Sequence, residues 1–105
     1  MKKYGVYKTD EFNKEFDKLS NDGTNRIENM FNQLTINPYV GDQLQIRSLR
    51  EKRLNEKRIY YLVFEDLQSI LMIAMSDKKD QQKMINFIVD NINVYREYLR
   101  NKLGI

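Results

Sequence analysis

The chain has 105 residues, of which 31% are charged and 41% hydrophobic, with a formal net charge of +3. These values are typical of one soluble globular domain, which we expect to span residues 1–105. The chain has no cysteine and no histidine. This excludes disulfides, thiolate metal sites and cysteine nucleophiles, and it removes the commonest metal ligand and general base.

The sequence carries no sign of export or of membrane insertion. The first twelve residues, MKKYGVYKTDEF, lack the apolar segment of a signal peptide. No apolar run approaches the roughly 18 residues that a membrane-spanning helix needs. Together with the lack of cysteine, this predicts a cytoplasmic protein without a membrane partner. The mild positive charge is compatible with a nucleic-acid or an acidic protein partner.

The first third of the chain predicts a strand and two helices. Residues 3–8 alternate weakly and predict a short strand. Apolar residues then recur at helical spacing and predict a helix over residues 10–20, capped by Thr9 or Asp10: Phe12, Phe16 and Leu19. We expect SNDGT (20–24) to break this helix. A second helix is expected to begin at a cap, Thr24 or Asp22, to bury Ile27, Met30, Phe31 and Leu34, and to end before Pro38.

The middle of the chain predicts three strands. Residues 44–52 form the first, although their alternation slips between Ile46 and Leu49, which suggests a bulge or a solvated strand. Residues 58–65 and 69–75 are apolar on both faces, so we expect two central, paired strands joined by a hairpin loop at DLQ (66–68).

The last quarter of the chain predicts amphipathic helix. Apolar residues recur every three or four positions over residues 78–103, in one long helix or two in series. The predicted order is therefore β-α-α-β-β-β-α. This order predicts an α+β fold with a mainly antiparallel sheet, packed by an N-terminal helical hairpin and a long C-terminal helix.

The densest positive charge lies directly before the central strand. Residues 47–58 contain six bases and two acids: Arg47, Arg50, Lys52, Arg53, Lys57 and Arg58, with Glu51 and Glu56. Residues two apart on a strand share a face, which pairs Arg50 with Lys52 and Arg58 with Tyr60. Bases on rigid strands suit a phosphate backbone, and a nearby tyrosine can stack on a base or donate a proton. The alternative is a solvated turn in which the glutamates pair with the bases.

A second basic segment, SDKKDQQ (76–82), follows the last strand. Asp77 is a plausible cap there, and Lys78 and Lys79 would lie in the first helical turn, where a phosphate can bind. Alternatively, Asp77 and Asp80 neutralise these lysines locally. Because antiparallel pairing places the start of strand 58–65 beside the end of strand 69–75, we expect Arg58 to approach Lys78 and Lys79.

The ordered set NPYVGDQL, LREKRL, RIYYLVFED and ILMIAMSDKKDQQ, with its closing helix, resembles the RelE/ParE superfamily of toxin–antitoxin toxins. The resemblance covers most of the chain, and the long C-terminal helix is similar to that of the branch that contains HigB and phage proteins. It implies the small RelE-like fold and the toxin component of a type II toxin–antitoxin system. The implied partners are a cognate antitoxin, through which any oligomer would form, and the ribosome with its mRNA.

RelE-type members are endoribonucleases that cut mRNA on the ribosome without a metal or other cofactor. The resemblance implies that Arg58, Lys78 and Lys79 serve catalysis, with Arg50 and Lys52 as bases of the preceding strand. Lys52 or Glu51 is the implied proton acceptor. The proton donor stays open among Tyr60, Tyr61 and Lys79. Four further residues are expected to bind RNA: Arg47, Arg53, Lys57 and Tyr60.

Two other functions remain compatible with the same residues. ParE-type members share the fold but bind DNA gyrase and do not cut RNA, so a non-enzymatic toxin with a protein target is one alternative. A decayed member that only binds nucleic acid is the other.

Overall fold

A computed structural model describes residues 3–105 of the chain. Five strands and four helices are present: β1 (Gly5–Lys8), α1 (Asp10–Asp17), α2 (Asn21–Ile36), β2 (Asp42–Gln43), β3 (Leu49–Leu54), β4 (Lys57–Phe64), β5 (Ser69–Ser76), α3 (Gln81–Asp90) and α4 (Ile92–Leu103). The strands form one sheet in the order β1-β5-β4-β3-β2. All pairs are antiparallel except β1–β5, which is parallel. The predicted α+β class and mainly antiparallel sheet are confirmed.

The sheet separates two apolar cores. On the back face, defined here as the side of α1 and α2, Phe12, Ile27 and Leu34 pack against Ile59 and Tyr61. On the front face, the side of α3 and α4, Ile85, Ile88 and Leu99 pack against a second set of strand residues: Leu49, Tyr60, Leu62 and Leu71. The central strand β4 is buried from Arg58 to Phe64 because both of its faces are covered by helices.

The two N-terminal helices are separated by only three residues. Thr9 caps α1, as one of the two predicted caps, but Ser20 caps α2 by accepting a hydrogen bond from the Gly23 amide at 3.2 Å. The predicted caps Thr24 and Asp22 are therefore wrong. The segment SNDGT does not end α1, which already ends at Asp17, but begins α2. A Cβ on Gly23 would lie 3.3 Å from Leu19 Cβ, so the glycine permits close packing within the first turn of α2. Ile36 ends α2 before Pro38, as expected.

The predicted strand over residues 44–52 is only partly correct. Residues 44–48 form a tight connection in which the Leu49 amide donates to the Ile46 carbonyl at 3.2 Å. The slip in alternation therefore reflects this connection, and there is no bulge at this point. β3 begins only at Leu49. A bulge does occur in β5. Tyr60 lies opposite Ala74 and Tyr61 lies opposite Met72, so Ile73 is the extra residue.

Thr9 ties this bulge to the start of α1. The buried Thr9 hydroxyl donates to the Ile73 carbonyl at 2.6 Å, and its oxygen accepts from the Phe12 amide at 3.1 Å. The Thr9 amide also donates to the Met72 carbonyl at 3.0 Å. One side chain therefore caps a helix and satisfies the carbonyl that the bulge turns away from β4.

We expect Thr9→Val to lower the free energy of unfolding by about 1–3 kcal/mol, because it leaves a buried carbonyl and a helix N-terminus without partners. Urea unfolding followed by circular dichroism measures this change. Thr35→Val is the matched control, since the Thr35 hydroxyl bonds only its own helix, to the Asn32 carbonyl. Equal midpoints for the two variants would contradict the assigned role of Thr9.

The C-terminal segment contains two helices in series, one of the two arrangements that the sequence allowed. They meet at Asn91, whose φ of −118° and ψ of 21° leave helical geometry. Lys78, Lys79 and Asp80 form a separate 3-10 turn, and α3 begins only at Gln81. The two lysines are therefore not in the first turn of an α-helix, and Asp77 forms no capping side-chain hydrogen bond. No helix in residues 3–105 has the length and apolar character to cross a membrane.

Candidate basic site at the start of the central strand

The basic residues of the β3–β4 hairpin divide between the two faces of the sheet. Asn55 and Glu56 form a two-residue turn, and this register places Arg53 opposite Arg58 and Lys52 opposite Ile59. Arg53, Arg58, Glu51 and Tyr60 share the front face by strand alternation. Arg50 and Lys52 share the back face, as predicted, but the sheet lies between them and Arg58. The hairpin bases therefore do not form one surface.

Arg58 is held by a buried carboxylate. Its Nη1 atom lies 3.3 Å from Glu51 Oε1 and 3.4 Å from Glu51 Oε2. Arg58 is 7% exposed and Glu51 is 3% exposed. Gln81, the first residue of α3, donates from Nε2 to Glu51 Oε1 at 2.9 Å. The carboxylate thus receives hydrogen bonds from β4 and from the C-terminal helices, and it fixes the position of the guanidinium.

The ion pair uses only one nitrogen of the Arg58 guanidinium. Both carboxylate contacts go to Nη1, and the described residues accept no hydrogen bond from Nε or Nη2. Neither atom is among the fully buried groups that lack a hydrogen-bond partner. These two nitrogens therefore retain contact with solvent. They form the fork that binds two oxygens of a phosphate or carboxylate.

A hydroxyl pair lies beside Arg58 on the front face. Tyr60 Oη and Ser76 Oγ are 2.7 Å apart, and Ser76 is the β5 residue opposite Arg58. Burial raises the pKa of Tyr60 above its usual value. Because Tyr60 has no exposed surface, its ring cannot stack on an RNA base in this conformation. Stacking would require the ring to be uncovered, and the role of Tyr60 in RNA binding stays a prediction.

Tyr61 is not available as a proton donor to the front face. It lies on the back face, where its hydroxyl donates to the Pro38 carbonyl at 2.8 Å and accepts from the Gly41 amide at 3.1 Å. Burial also raises its pKa. Through these two hydrogen bonds, Tyr61 connects the loop after α2 to the sheet.

Lys78 and Lys79 follow the end of β5 and are exposed. Antiparallel pairing of Arg58 with Ser76 brings the two segments to the same end of the sheet, as the sequence predicted. The lysines are two and three residues beyond Ser76, and neither forms an ion pair with a described residue. They are exposed at this end of the sheet, and Asp77 and Asp80 do not form direct ion pairs with them.

Arg47 and Arg50 belong to a separate cluster around Tyr39. Their guanidinium carbons lie 4.3 and 4.9 Å from the centre of the Tyr39 ring. The Tyr39 hydroxyl donates to Glu65, which also pairs with Arg47 at 3.1 Å. Burial and the Glu65 carboxylate raise the pKa of Tyr39 to about 12. These contacts stabilise the loop after α2, and they place both arginines away from Arg58.

The remaining candidate base, Lys57, is partly exposed and lies 3.8 Å from Glu15 of α1. Among residues 3–105, no group of acidic side chains is arranged to hold a metal ion.

Two polar residues of the front face were absent from the sequence-based prediction. Ser76 could have been identified from the register of β4 and β5. Gln81 could not, because its contact depends on where α3 begins.

The fold is similar to that of solved RelE toxins. A free mutant of Escherichia coli RelE has a TM-score of 0.71 at 15% identity, covering 86% of this chain and 98% of that chain. The archaeal RelE–RelB complex from Pyrococcus horikoshii gives 0.65 at 18% identity, covering 72% and 96%. The toxin–antitoxin complex RelBE2 from Mycobacterium tuberculosis gives 0.62 at 20% identity, covering 74% and 94%.

No protein-family model and no curated protein sequence matches the chain. The structural similarity therefore establishes the fold: the chain has the RelE fold over most of its length.

Proposed function

We propose that this chain is a single-domain toxin of a type II toxin–antitoxin system that cuts mRNA on the ribosome. One observation carries the proposal. On the RelE fold, the ion pair with Glu51 leaves Nε and Nη2 of the 7% exposed Arg58 without a protein partner, at the end of the sheet where Lys78 and Lys79 are exposed. The unused hydrogen-bond donors of Arg58 and the two unpaired lysine charges suit the negative charge that develops on a phosphate during cleavage.

The proposed reaction needs neither histidine nor metal. The ribose 2′-oxygen forms a bond to the adjacent phosphorus, and the bond from phosphorus to the 5′-oxygen breaks. Arg58 stabilises the additional charge on the phosphate oxygens. Of the two candidate proton acceptors, Lys52 lies on the back face and Glu51 lies on the front face, so Glu51 accepts the proton of the 2′-hydroxyl once Arg58 shifts from its carboxylate to the phosphate. Lys78 or Lys79 donates a proton to the leaving 5′-oxygen.

The proposed partners are a cognate antitoxin, the ribosome and mRNA, in the cytoplasm. The similar proteins from E. coli, P. horikoshii and M. tuberculosis include complexes of a RelE toxin with its antitoxin. Two exposed apolar side chains, Phe87 and Val94, line a groove between the start of α1, β5 and the two terminal helices. This apolar surface is compatible with an antitoxin that covers the terminal helices.

A second candidate function is supported by the same ion pair. Because Glu51 already neutralises Arg58, and because the Tyr61 hydroxyl lies on the back face, the chain could be a non-enzymatic toxin that binds a protein target such as gyrase. A decayed member that only binds nucleic acid would have the same front face.

The proposal is tested by expressing the chain alone in bacteria and mapping mRNA ends in translated regions. We expect growth arrest with cleavage inside open reading frames. Lys78→Gln/Lys79→Gln should lower cleavage about tenfold or more, because it removes two charges beside the reacting phosphate. Lys14→Gln is the control, since Lys14 is exposed on α1 and forms no ion pair with a described residue.

Each outcome of this experiment separates the candidates. Arrest with intact mRNA would contradict the nuclease and support a protein target. Normal growth with a folded, soluble chain would contradict both toxin functions. Equal cleavage by the Lys78→Gln/Lys79→Gln and Lys14→Gln variants would remove the two lysines from the site.

A further inference from the structure

We propose that a cationic groove between α2 and the outer edge of β3 binds the phosphate backbone of a base-paired RNA. The groove has a volume of about 450 Å³ and lies between Arg26 and Gln33 of α2 and the end of β3 at Lys52–Leu54. It borders the Arg58 site, because Arg53, which lines the groove, lies opposite Arg58 in the β3–β4 hairpin. Lys52 reaches it from the back face, whereas Arg58 lies on the front face.

The groove is positively charged without compensation. Three bases line it, Arg26, Lys52 and Arg53, and no acidic residue does. None of the three is within ion-pair distance of a described carboxylate. A half-buried lysine that lacks a carboxylate partner, such as Lys52, is stabilised when an anion binds beside it. Three basic residues without acidic neighbours in the lining therefore favour a ligand with several negative charges.

The groove is also partly preorganised. Lys52 projects from a strand that is paired with β4 along its whole length. Arg26 Nη1 donates to Asn55 Oδ1 at 3.0 Å, and Asn55 is fixed in the hairpin turn with a φ of 55°. This bond joins α2 to the hairpin, so charges from two elements are held on opposite walls. Binding of a phosphate would cost less side-chain entropy there than at free surface lysines.

The lining favours nucleic acid over an acidic peptide. Apart from the bases, the groove presents two amides, Asn29 and Gln33, and an apolar floor of Met30 and Leu54. Met30 is 8% exposed and Leu54 is 3% exposed, so the floor offers little surface to anchor apolar side chains of a peptide. Bases and amides are the groups that contact phosphate and sugar oxygens along a nucleic acid.

The lining further favours base-paired RNA over a single strand. Proteins bind single strands by stacking the free bases on aromatic side chains, and no aromatic residue lines this groove. In a base-paired stem the bases stack on one another, so the protein needs only backbone and 2′-hydroxyl contacts. This inference rests on the proposed function in one respect: RNA is the molecule that the front face would cut. The groove would then anchor a stem while Arg58 contacts a separate strand.

The test compares binding of the purified chain to a short RNA hairpin and to an oligouridine strand of equal length. Fluorescence anisotropy is measured between about 50 and 200 mM salt, where phosphate contacts dominate the salt dependence. Arg26→Gln/Lys52→Gln should reduce the slope of log K against log salt for the hairpin by about 1 for each base removed. The oligouridine slope should not change. Lys14→Gln is the control for charge.

Three results would overturn the inference: an unchanged hairpin slope in the folded double variant, an equal loss for oligouridine, or tighter binding of a polyglutamate peptide that the same variant abolishes. Circular dichroism establishes that each variant is folded. Failure of the groove is distinguishable from failure of the proposed function. Loss of hairpin binding in a chain that never cuts mRNA would support the groove alone, and cleavage by a chain whose groove variant binds normally would support the nuclease alone.

Discussion

The Arg58→Ala variant is expected to lose about 3–5 kcal/mol of its free energy of unfolding, because it leaves the carboxylate of Glu51 buried without its cation. Glu51 is 3% exposed, and only the Gln81 amide would remain as a side-chain partner. Removing one member of a buried ion pair is costly even where the pair itself contributes little. The measurement is the urea midpoint and slope of the purified variant.

The matched control removes both charges. Glu51→Leu/Arg58→Met keeps similar volume and leaves no isolated charge, so we expect it to be much closer in stability to the native chain than Arg58→Ala. A loss below about 1 kcal/mol for Arg58→Ala would show that the pair is solvated and not buried. The expected loss has a practical consequence. Absence of toxicity in Arg58→Ala cannot by itself identify a functional residue, because the variant is expected to be partly unfolded.

Arg58→Lys is expected to keep the fold while lowering mRNA cleavage by about 10²–10³-fold, a typical effect of removing one donor to a developing oxyanion. A lysine can still pair with Glu51. It cannot also present two further nitrogens as a planar fork to the phosphate. Cleavage in a translating extract and the urea midpoint are measured on the same preparation.

Arg53→Lys is the control for this variant, because Arg53 lies directly opposite Arg58 but is exposed and unpaired. It should cleave at nearly the native rate. Cleavage by Arg58→Lys within tenfold of native would mean that a point charge is sufficient and that the guanidinium fork has no part in the reaction. Equal impairment of both variants would assign the effect to charge density on the hairpin and not to Arg58.

The fold was largely predictable because its central elements are strongly patterned. The runs around Ile59 and Ile70 are apolar on both faces, and only strands covered by helices on both sides bury such runs. The recurrence of apolar residues every three or four positions after Ser76 similarly predicted the terminal helices. The errors concern the ends of helices and strands, where the geometry of the turn determines which residue begins the element. SNDGT has the composition of a helix-breaking segment, but Ser20 caps α2 and Gly23 permits close packing against Leu19.

The site was less predictable because it depends on register. Counting Asn55 and Glu56 as a two-residue turn places Arg53, and not Lys52, across from Arg58. A shift of one residue moves every side chain to the other face of the sheet, so the register decides which hairpin bases lie on the face of Arg58. The contact of Gln81 with Glu51 joins residues 30 positions apart. No local pattern in the sequence indicates it.

The parallel pairing of β1 with β5 also constrains how the chain is made. Thr9 and Ile73 are 64 residues apart, so the N-terminal strand has no partner until most of the chain has left the ribosome. Contacts of such separation slow folding, since loop closure precedes any gain from packing. The Glu51–Gln81 contact forms later still. A nascent chain therefore carries an exposed helical hairpin but no assembled front face, and the interval before β5 emerges is when a chaperone or partner would find the apolar surface of α1 and α2 uncovered.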